Sequence, residues 1–343
     1  MAVQCCDVCQ SIYNVESCVY GTQNVSYSLC PTCYKKYSIL CAHCKKLYIY
    51  YNAPEFRKNN KIFLCDRCRE ILHKKIIKRY NYKPRSSLKF LDVDNKGNIV
   101  IYSKKDKRFI PYFGIELEIE IPSSQISLCT GVEILEELDF VYLKHDGTLH
   151  NGFEIVTFPL SWKWILHNKD KFNPIFNLSK RGILSYDKDT CGMHIHISKD
   201  VFSEKQLFNF MWFIYSNRHF IYKLSQRTYR SLNEFASLTD ISDEQIQRYS
   251  RRKSGNFNKH QAVNLRNSTT VELRIARGTL NPRSFWKNVE FAKCLFDFSN
   301  ILQENDKRYN KNSLDKFLSY VRNNRRKFPN LHSFMKEKEM YML

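Results

Sequence analysis

The stretch Gly114-Ile115-Glu116-Leu117-Glu118-Ile119-Glu120-Ile121 alternates strictly between acidic and aliphatic residues. A period of two is the repeat of a β-strand, so Glu116, Glu118 and Glu120 share one face and Leu117, Ile119 and Ile121 the other. Three carboxylates stacked on one face repel unless solvent or cations neutralise them. Three further segments are built alike. Asp146-Gly147-Thr148-Leu149 precedes Phe153-Glu154-Ile155-Val156-Thr157, in which Glu154 interrupts an apolar strand. Gly192–Ser198 sets His194 and His196 against Ile195 and Ile197, and Val271–Ile275 pairs Glu272 with Arg274 on one face. Singly, such patterns describe solvated sheet faces and surface ion pairs worth under about 1 kcal/mol. Together they predict one sheet whose polar face gathers Glu, His and Arg. Hard carboxylate oxygens of that kind hold Mg²⁺, and an arginine neutralises phosphoryl charge. The chain has no Walker loop and no GxGxxG, so any nucleotide site is of this open-sheet kind.

Outward from these strands the pattern predicts α+β: a largely antiparallel sheet with covering helices. Leu88–Val93 and Ile99–Tyr102 flank Asp94-Asn95-Lys96-Gly97-Asn98, a hairpin signature. Helices are expected near 131–138, 161–169, 204–226, 282–300 and 313–326, that at 204–226 being apolar on most sides and therefore buried. A basic amphipathic helix is expected over 66–80, followed by a linker marked by Pro84, Ser86 and Ser87.

The first 70 residues carry a duplicated unit. Cys6/Cys9 and Cys30/Cys33 form one set, and Cys41/Cys44 and Cys65/Cys68 recur 35 residues later. Twenty residues separate the CxxC pairs in both copies, with Leu29 and Leu64 before the second pair. A CxxC turn presents two thiolates to one ion, and two turns joined by a hairpin close a tetrahedral zinc site. The hairpins would use Tyr13, Val15, Val19, Val25, Tyr27 and Leu29 in copy one, and Leu47–Tyr51 with Ile62–Leu64 in copy two. Two separate ribbons are the first reading; a cross-braced pairing uses the same cysteines, and Cys5 or His43 could replace a neighbour. Units this small take folding energy from metal, so the module is structural with binding potential.

Hydrophobic content of 43% over 343 residues leaves room for a core domain besides this module. No apolar run approaches a membrane span, and the start MAVQCCDVCQ lacks the basic and apolar regions of a signal peptide. With cysteines in metal spacing, a cytoplasmic location is expected. The net charge of +21 attracts polyanions without choosing among them. Eight Lys/Arg against one acid between Arg69 and Lys89, the group Arg248, Arg251, Arg252, Lys253 and Lys259, and Arg322, Arg325, Arg326 and Lys327 carry much of it.

At GIELEIEI, DGTL…GFEIVTFP, GMHIHIS and VELRIARGTLNP the chain resembles the amidoligase family, relatives of glutamate–cysteine ligase among the glutamine synthetase-like carboxylate–amine ligases. A GxExE strand, an ExxTxP segment, a G-x-H strand and an E-x-R…NP strand occur there in this order, and the resemblance spans about 111–300. It implies a glutamine synthetase-like catalytic fold and ATP-dependent ligation with Mg²⁺, zinc remaining in the ribbons. Matched residue by residue, Glu116, Glu118, Glu154 and Glu272 are magnesium and nucleotide ligands. His194, near metal and phosphate, is a further magnesium ligand; it, His196 beside it and the phosphate-facing Arg274 are the catalytic candidates, Arg274 also contacting the nucleotide. Asp146, Asn264 and Arg277 are candidates for substrate contact or ligand support. The implied reaction passes through an acyl phosphate that an amine displaces, with no protein nucleophile; Cys191 reads as a small buried thiol. The acid and the amine are not specified, and glutamate and cysteine are not assumed.

The implied organisation is ribbon 1 over 1–36, ribbon 2 with the basic helix over 37–80, and a linker and hairpin over 81–110. A catalytic domain over 111–300 and a basic helical segment over 301–343 complete it. The principal alternative is a zinc-ribbon nucleic-acid binder on an inactive ligase-like scaffold, with ribbons and basic segments meeting nucleic acid or protein. A hydrolase using His194 and His196 on a transition metal is less favoured by the excess of carboxylates.

Overall fold

The computed structural model describes residues 3–14, 19–22, 25–42, 44–58, 63–68, 76–84, 87–121, 134–135, 137–185, 191–239, 241–255, 260–302 and 313–342. The chain forms two compact units, Met1–Ile76 and Ile77–Leu343. No helix among the described residues is long and apolar enough to cross a membrane.

In the first unit, strand β1 (Val3–Cys5) pairs antiparallel with β2 (Ile12–Asn14), and β3 (Val19–Thr22) with β4 (Val25–Ser28). The second copy repeats the first of these pairs and departs at the second. Its strand β6 (Leu47–Ile49) pairs with β5 (Ser38–Leu40), and a helix, Ala53–Lys58, stands where the repeat would place β3. The hairpin expected between Leu47–Tyr51 and Ile62–Leu64 is therefore not formed by the described part of that stretch. Pro54 explains the change: it lacks the N–H a hairpin ladder needs and its fixed φ suits a first helical turn. Leu29, Cys6, Cys30 and Cys33 are buried together, with Val8, Tyr34, Tyr37 and Ile49 packed around them. Residues 69–75 of the basic helix expected over 66–80, the start of the helix expected from 131 and the ligand substitute His43 lie outside the described residues, and at its far end the expected basic helix gives way to a strand, Ile77–Lys78, that pairs into a sheet.

The second unit is built on a ten-stranded sheet. Its main path runs β15 (Val263–Asn264), β16 (Thr270–Arg277), β14 (Gly192–Ser198), β10 (Tyr112–Ile119), β12 (Phe153–Thr157), β11 (Val141–Lys144) and β7 (Ile77–Lys78). Every pairing along it is antiparallel except β11 with β7. The expected hairpin forms as β8 (Phe90–Val93) and β9 (Ile99–Tyr102), joined to the sheet through β13 (Leu160–Ser161). Gly97 at φ +91° supplies the left-handed turn residue that hairpin needs. Fold class and largely antiparallel character are as the sequence predicted.

Ile115, Leu117, Ile119, Ile195, Ile197, Leu273 and Ile275 are all buried. Ile195, Leu273 and Ile275 meet Leu224 and Phe291 from the helices Arg218–Ser225 and Pro282–Ile301. Each such side chain contributes on the order of 1.5–3 kcal/mol of burial, which fixes the apolar face inward and leaves the acidic face for the site. The helix expected over 204–226 breaks into Glu204–Ser216 and Arg218–Ser225. Asn217 causes the break: its amide donates to the Phe213 carbonyl at 2.8 Å and competes with the backbone ladder. The expected burial of that segment holds, since Leu207, Phe210, Met211, Phe213 and Ile214 are inaccessible. Helices at Trp162–His167, Pro282–Ile301 and Ser313–Asn323 fall where periodicity put them. Those at Tyr229–Phe235, Asp243–Arg252 and Pro329–Glu337 were not expected, although the Ser242/Gln245 capping box marks the start of the second.

Candidate active site

Register brings the four polar segments together. Glu118 stands opposite Glu154, Glu116 opposite His194, His196 opposite Glu272, and Glu272 opposite Asn264. Cross-strand partners share a face, so sequence segments far apart line up as one polar row. Ligand atoms of Glu116, His194 and Glu272 all lie within 4.8 Å of one another, as do those of Glu118, Asp146 and Glu154. Each trio has donors of the kind a divalent cation takes.

The contacts within the row are specific. His194 Nδ1 is 3.6 Å from Glu116 Oε2 and 3.7 Å from Glu272 Oε1, while its Nε2 is 3.8 Å from Glu118 Oε1. His196 Nε2 is 3.5 Å from Glu116 Oε1, its ring oriented by Nδ1 against Thr270 Oγ1 at 3.0 Å. Asn264 donates to Glu272 Oε2 at 2.8 Å, and the Gly192 amide donates to Glu118 Oε2 at 2.5 Å. Arg274 pairs with Glu272, and its Nε donates to the Phe235 carbonyl at 3.3 Å. Asp146 accepts from the Thr148 amide at 2.7 Å, a local turn that aims it at the second trio.

The carboxylate of Glu120 has a use other than that of Glu116 and Glu118. Strand β10 ends at Ile119, and Glu120 turns to accept from the amides of His150 at 2.9 Å and Asn151 at 3.3 Å. It anchors a loop and stands in neither trio. Arg277 ends β16 opposite Gly192, beyond a bulge between Met193 and Ile195 that interrupts the period of two. Cys191 is fully buried and belongs to neither cysteine cluster.

Two residues of this site escaped the sequence. Lys144 on β11 lies 2.6 Å from Glu154 Oε2 and 3.6 Å from Glu116 Oε1, bridging the trios. Alternation on β11 could have put Lys144 on the face of its partner Glu154, but only the pairing shows that they are partners. Arg227, 4% exposed, lies against Gly192 and had no sequence signal at all.

The electrostatics follow from this crowding. Burial alone would raise Glu116, but His196, His194 and Lys144 outweigh it and hold the carboxyl well below the usual range. Burial and the Glu116 charge push Glu154 up to about 10 against the pull of Lys144. Burial opposes charging of His196, yet Glu116 and Glu272 raise it. Glu272 is desolvated too, but His196, Arg274 and His194 lower it. A cation among these groups relieves the repulsion that drives Glu154 up. Among the described residues His194 Nδ1 and His196 Nε2 are buried without a hydrogen-bond partner, although both face carboxylates. Ligand atoms on an octahedral ion of about 2.1 Å bond length stand about 3.0 Å apart in cis and 4.2 Å in trans. The His194–Glu116 and His194–Glu272 spacings of 3.6 and 3.7 Å lie between these two values.

In the first unit the cysteines fall into two clusters, Cys6/Cys9/Cys30/Cys33 and Cys41/Cys44/Cys65/Cys68. Cys9 and Cys30 sulfurs are 3.7 Å apart and Cys44 and Cys65 sulfurs 4.0 Å. A zinc tetrahedron with bonds of about 2.3 Å has edges of about 3.8 Å, so these spacings suggest zinc. Burial and neighbouring thiols push Cys33 and Cys68 up to about 12, while Ser11 lowers Cys9 to about 6. Four thiols so placed need a cation to ionise together. The sets are the separate ones, not the cross-braced alternative.

Fold and site define an α+β protein whose antiparallel sheet carries two acidic ligand groups on one face. Residues 132–295, just under half of the chain, match the family model described as "Putative amidoligase enzyme". The match includes Asp146, Glu154, His194, His196, Arg227, Glu272 and Arg274 and gives a ligase-type function in general terms. It begins after β10, so Glu116 and Glu118 join the site by strand register alone. No curated protein matches the chain.

Proposed function

We propose that the protein is an ATP-dependent carboxylate–amine ligase, in which a substrate carboxylate takes the γ-phosphoryl group and an amine then displaces phosphate to give an amide. The observation that carries this reading is the pair of ligand trios on one sheet face, with two buried imidazole nitrogens directed at carboxylates and otherwise unpartnered. Glu116, His194 and Glu272 would hold one divalent ion and Glu118, Asp146 and Glu154 another. Mg²⁺ held there would supply positive charge to offset that of a triphosphate and polarise its phosphoryl group.

The chain's own groups do the remaining work. Arg274, tethered by Glu272 and the Phe235 carbonyl, is held so that one edge of its guanidinium can meet charge on the phosphoryl in transfer. Thr270 fixes the ring of His196, and Asn264 fixes the carboxylate of Glu272, so neither ligand needs to reorganise. Activation is required because an amine cannot expel oxide from a carboxylate.

The test is ADP and phosphate release from Mg-ATP in the presence of pooled amino acids and amines, comparing the native chain with Glu272→Ala. Release that is stimulated by the pool and falls at least about 100-fold in the variant is expected. Release that is equal in both proteins would refute the assignment.

A further inference from the structure

We propose that Arg227 contacts an oxyanion of the reactants, either a nucleotide phosphate oxygen or the carboxylate of the acid, at the Glu118–His194 end of the site. The inference rests on the ligase reading and extends it to a residue outside both ligand trios. A Cβ placed on Gly192 would collide with Arg227 Nη2 and come within 3.0 Å of His194 Nε2 and 3.4 Å of Glu118 Oε2. Guanidinium, imidazole and carboxylate thus converge over one residue, and only glycine leaves space for all three. Arg227 is 4% exposed, so little water screens its charge from an anion entering beside it.

Its setting is built. The helix Arg218–Ser225 closes on Gln226 in the left-handed region at φ +59°, turning the chain so that Arg227 follows directly. The Ser225 hydroxyl accepts from the Arg227 amide at 3.1 Å, and Arg227 Nη1 donates to Ser231 Oγ at 3.0 Å. Ser231 lies on the helix Tyr229–Phe235, whose last residue also accepts from Arg274. One short helix therefore positions two arginines: Arg274 beside the Glu116/His194/Glu272 trio, and Arg227 beside Glu118 of the other. An anionic reactant lying along both trios would meet an arginine at each. Its bidentate fork suits phosphate and carboxylate oxygens equally.

The zinc-loaded full-length chain and its Arg227→Met, Arg227→Lys and Gly192→Ala variants should be titrated calorimetrically with Mg-ADP, the Mg complex of β,γ-imido-ATP, and pyrophosphate. The half-saturating concentration of the amino-acid pool in the release assay is measured alongside. Loss of a charged hydrogen bond predicts at least about a tenfold effect in Arg227→Met. Arg227→Lys should recover only part of it, and Gly192→Ala, whose methyl group would displace the guanidinium, should show the same loss. An effect on imido-ATP or pyrophosphate assigns the contact to phosphate; an effect confined to the amino-acid pool assigns it to the carboxylate. A native chain that binds the nucleotides, with variants within about twofold on every probe, overturns the role of Arg227 and spares the ligase reading. A native chain that binds none of the probes overturns both.

Discussion

Lys287 tests whether burial in this fold sets charge as the structure implies. Its side chain is wholly inaccessible, its ammonium donates to the Leu224 carbonyl at 2.6 Å and lies 4.5 Å from the centre of the Phe334 ring. Burial, with a smaller contribution from Arg277, lowers it from 10.5 to about 7. The unfolded chain therefore binds one more proton than the folded chain between about pH 7 and pH 10.5. Stability rises with pH across that window: the penalty is absent above the unfolded value, develops as pH falls, and is complete below the folded value. At about 1.36 kcal/mol per unit, the full penalty is about 5 kcal/mol, and the gain from pH 8 to pH 10 is about 2–3 kcal/mol. Lys287→Met removes this dependence at the cost of the Leu224 hydrogen bond, about 1 kcal/mol. The variant should be about 2 kcal/mol more stable at pH 8 and equal to the native chain near pH 10. All four tryptophans, Trp162, Trp164, Trp212 and Trp286, lie in the second unit, so urea unfolding followed by their fluorescence reports on it directly. Other titrating groups cancel in the difference between the two proteins. A difference that stays constant from pH 8 to pH 10 refutes the argument.

Two further outcomes follow from buried contacts. Cys33→Ser should lower bound zinc from two equivalents per chain to one, read by metal analysis, because the second cluster shares no ligand with the first; an unchanged content of two would rule the assignment out. Glu290 is fully buried and accepts from the amides of Asn330 at 2.8 Å and Leu331 at 2.9 Å, at the start of the helix Pro329–Glu337. Glu290→Ala should cost about 2–4 kcal/mol and speed hydrogen exchange across that helix; unaltered exchange there would count against this anchor.

Elements with strong local signals were legible in the residues. The Glu116–Glu118 alternation, the His194–His196 strand and the hairpin turn around Gly97 need only the geometry of a strand or turn. The helix break at Asn217 and the replacement of a hairpin by a helix at Pro54 were also written locally, but a repeat or an apolar run outweighed them in the reading. Glu120 shows the converse: its alternation continues that of Glu116 and Glu118, yet its carboxylate accepts from two loop amides and stands in neither trio.

By itself, the sequence determined which face of each strand is polar, that eight cysteines are spaced as metal ligands, and the α+β class, since these follow from period, spacing and burial tendency along a continuous chain. Tertiary structure alone decided that Glu118 meets Glu154 and that Lys144 bridges Glu154 to Glu116. It alone put Arg227 over Gly192 as well. Those contacts join segments tens of residues apart, and their energies depend on register, desolvation and neighbouring charge, none of which a local pattern contains.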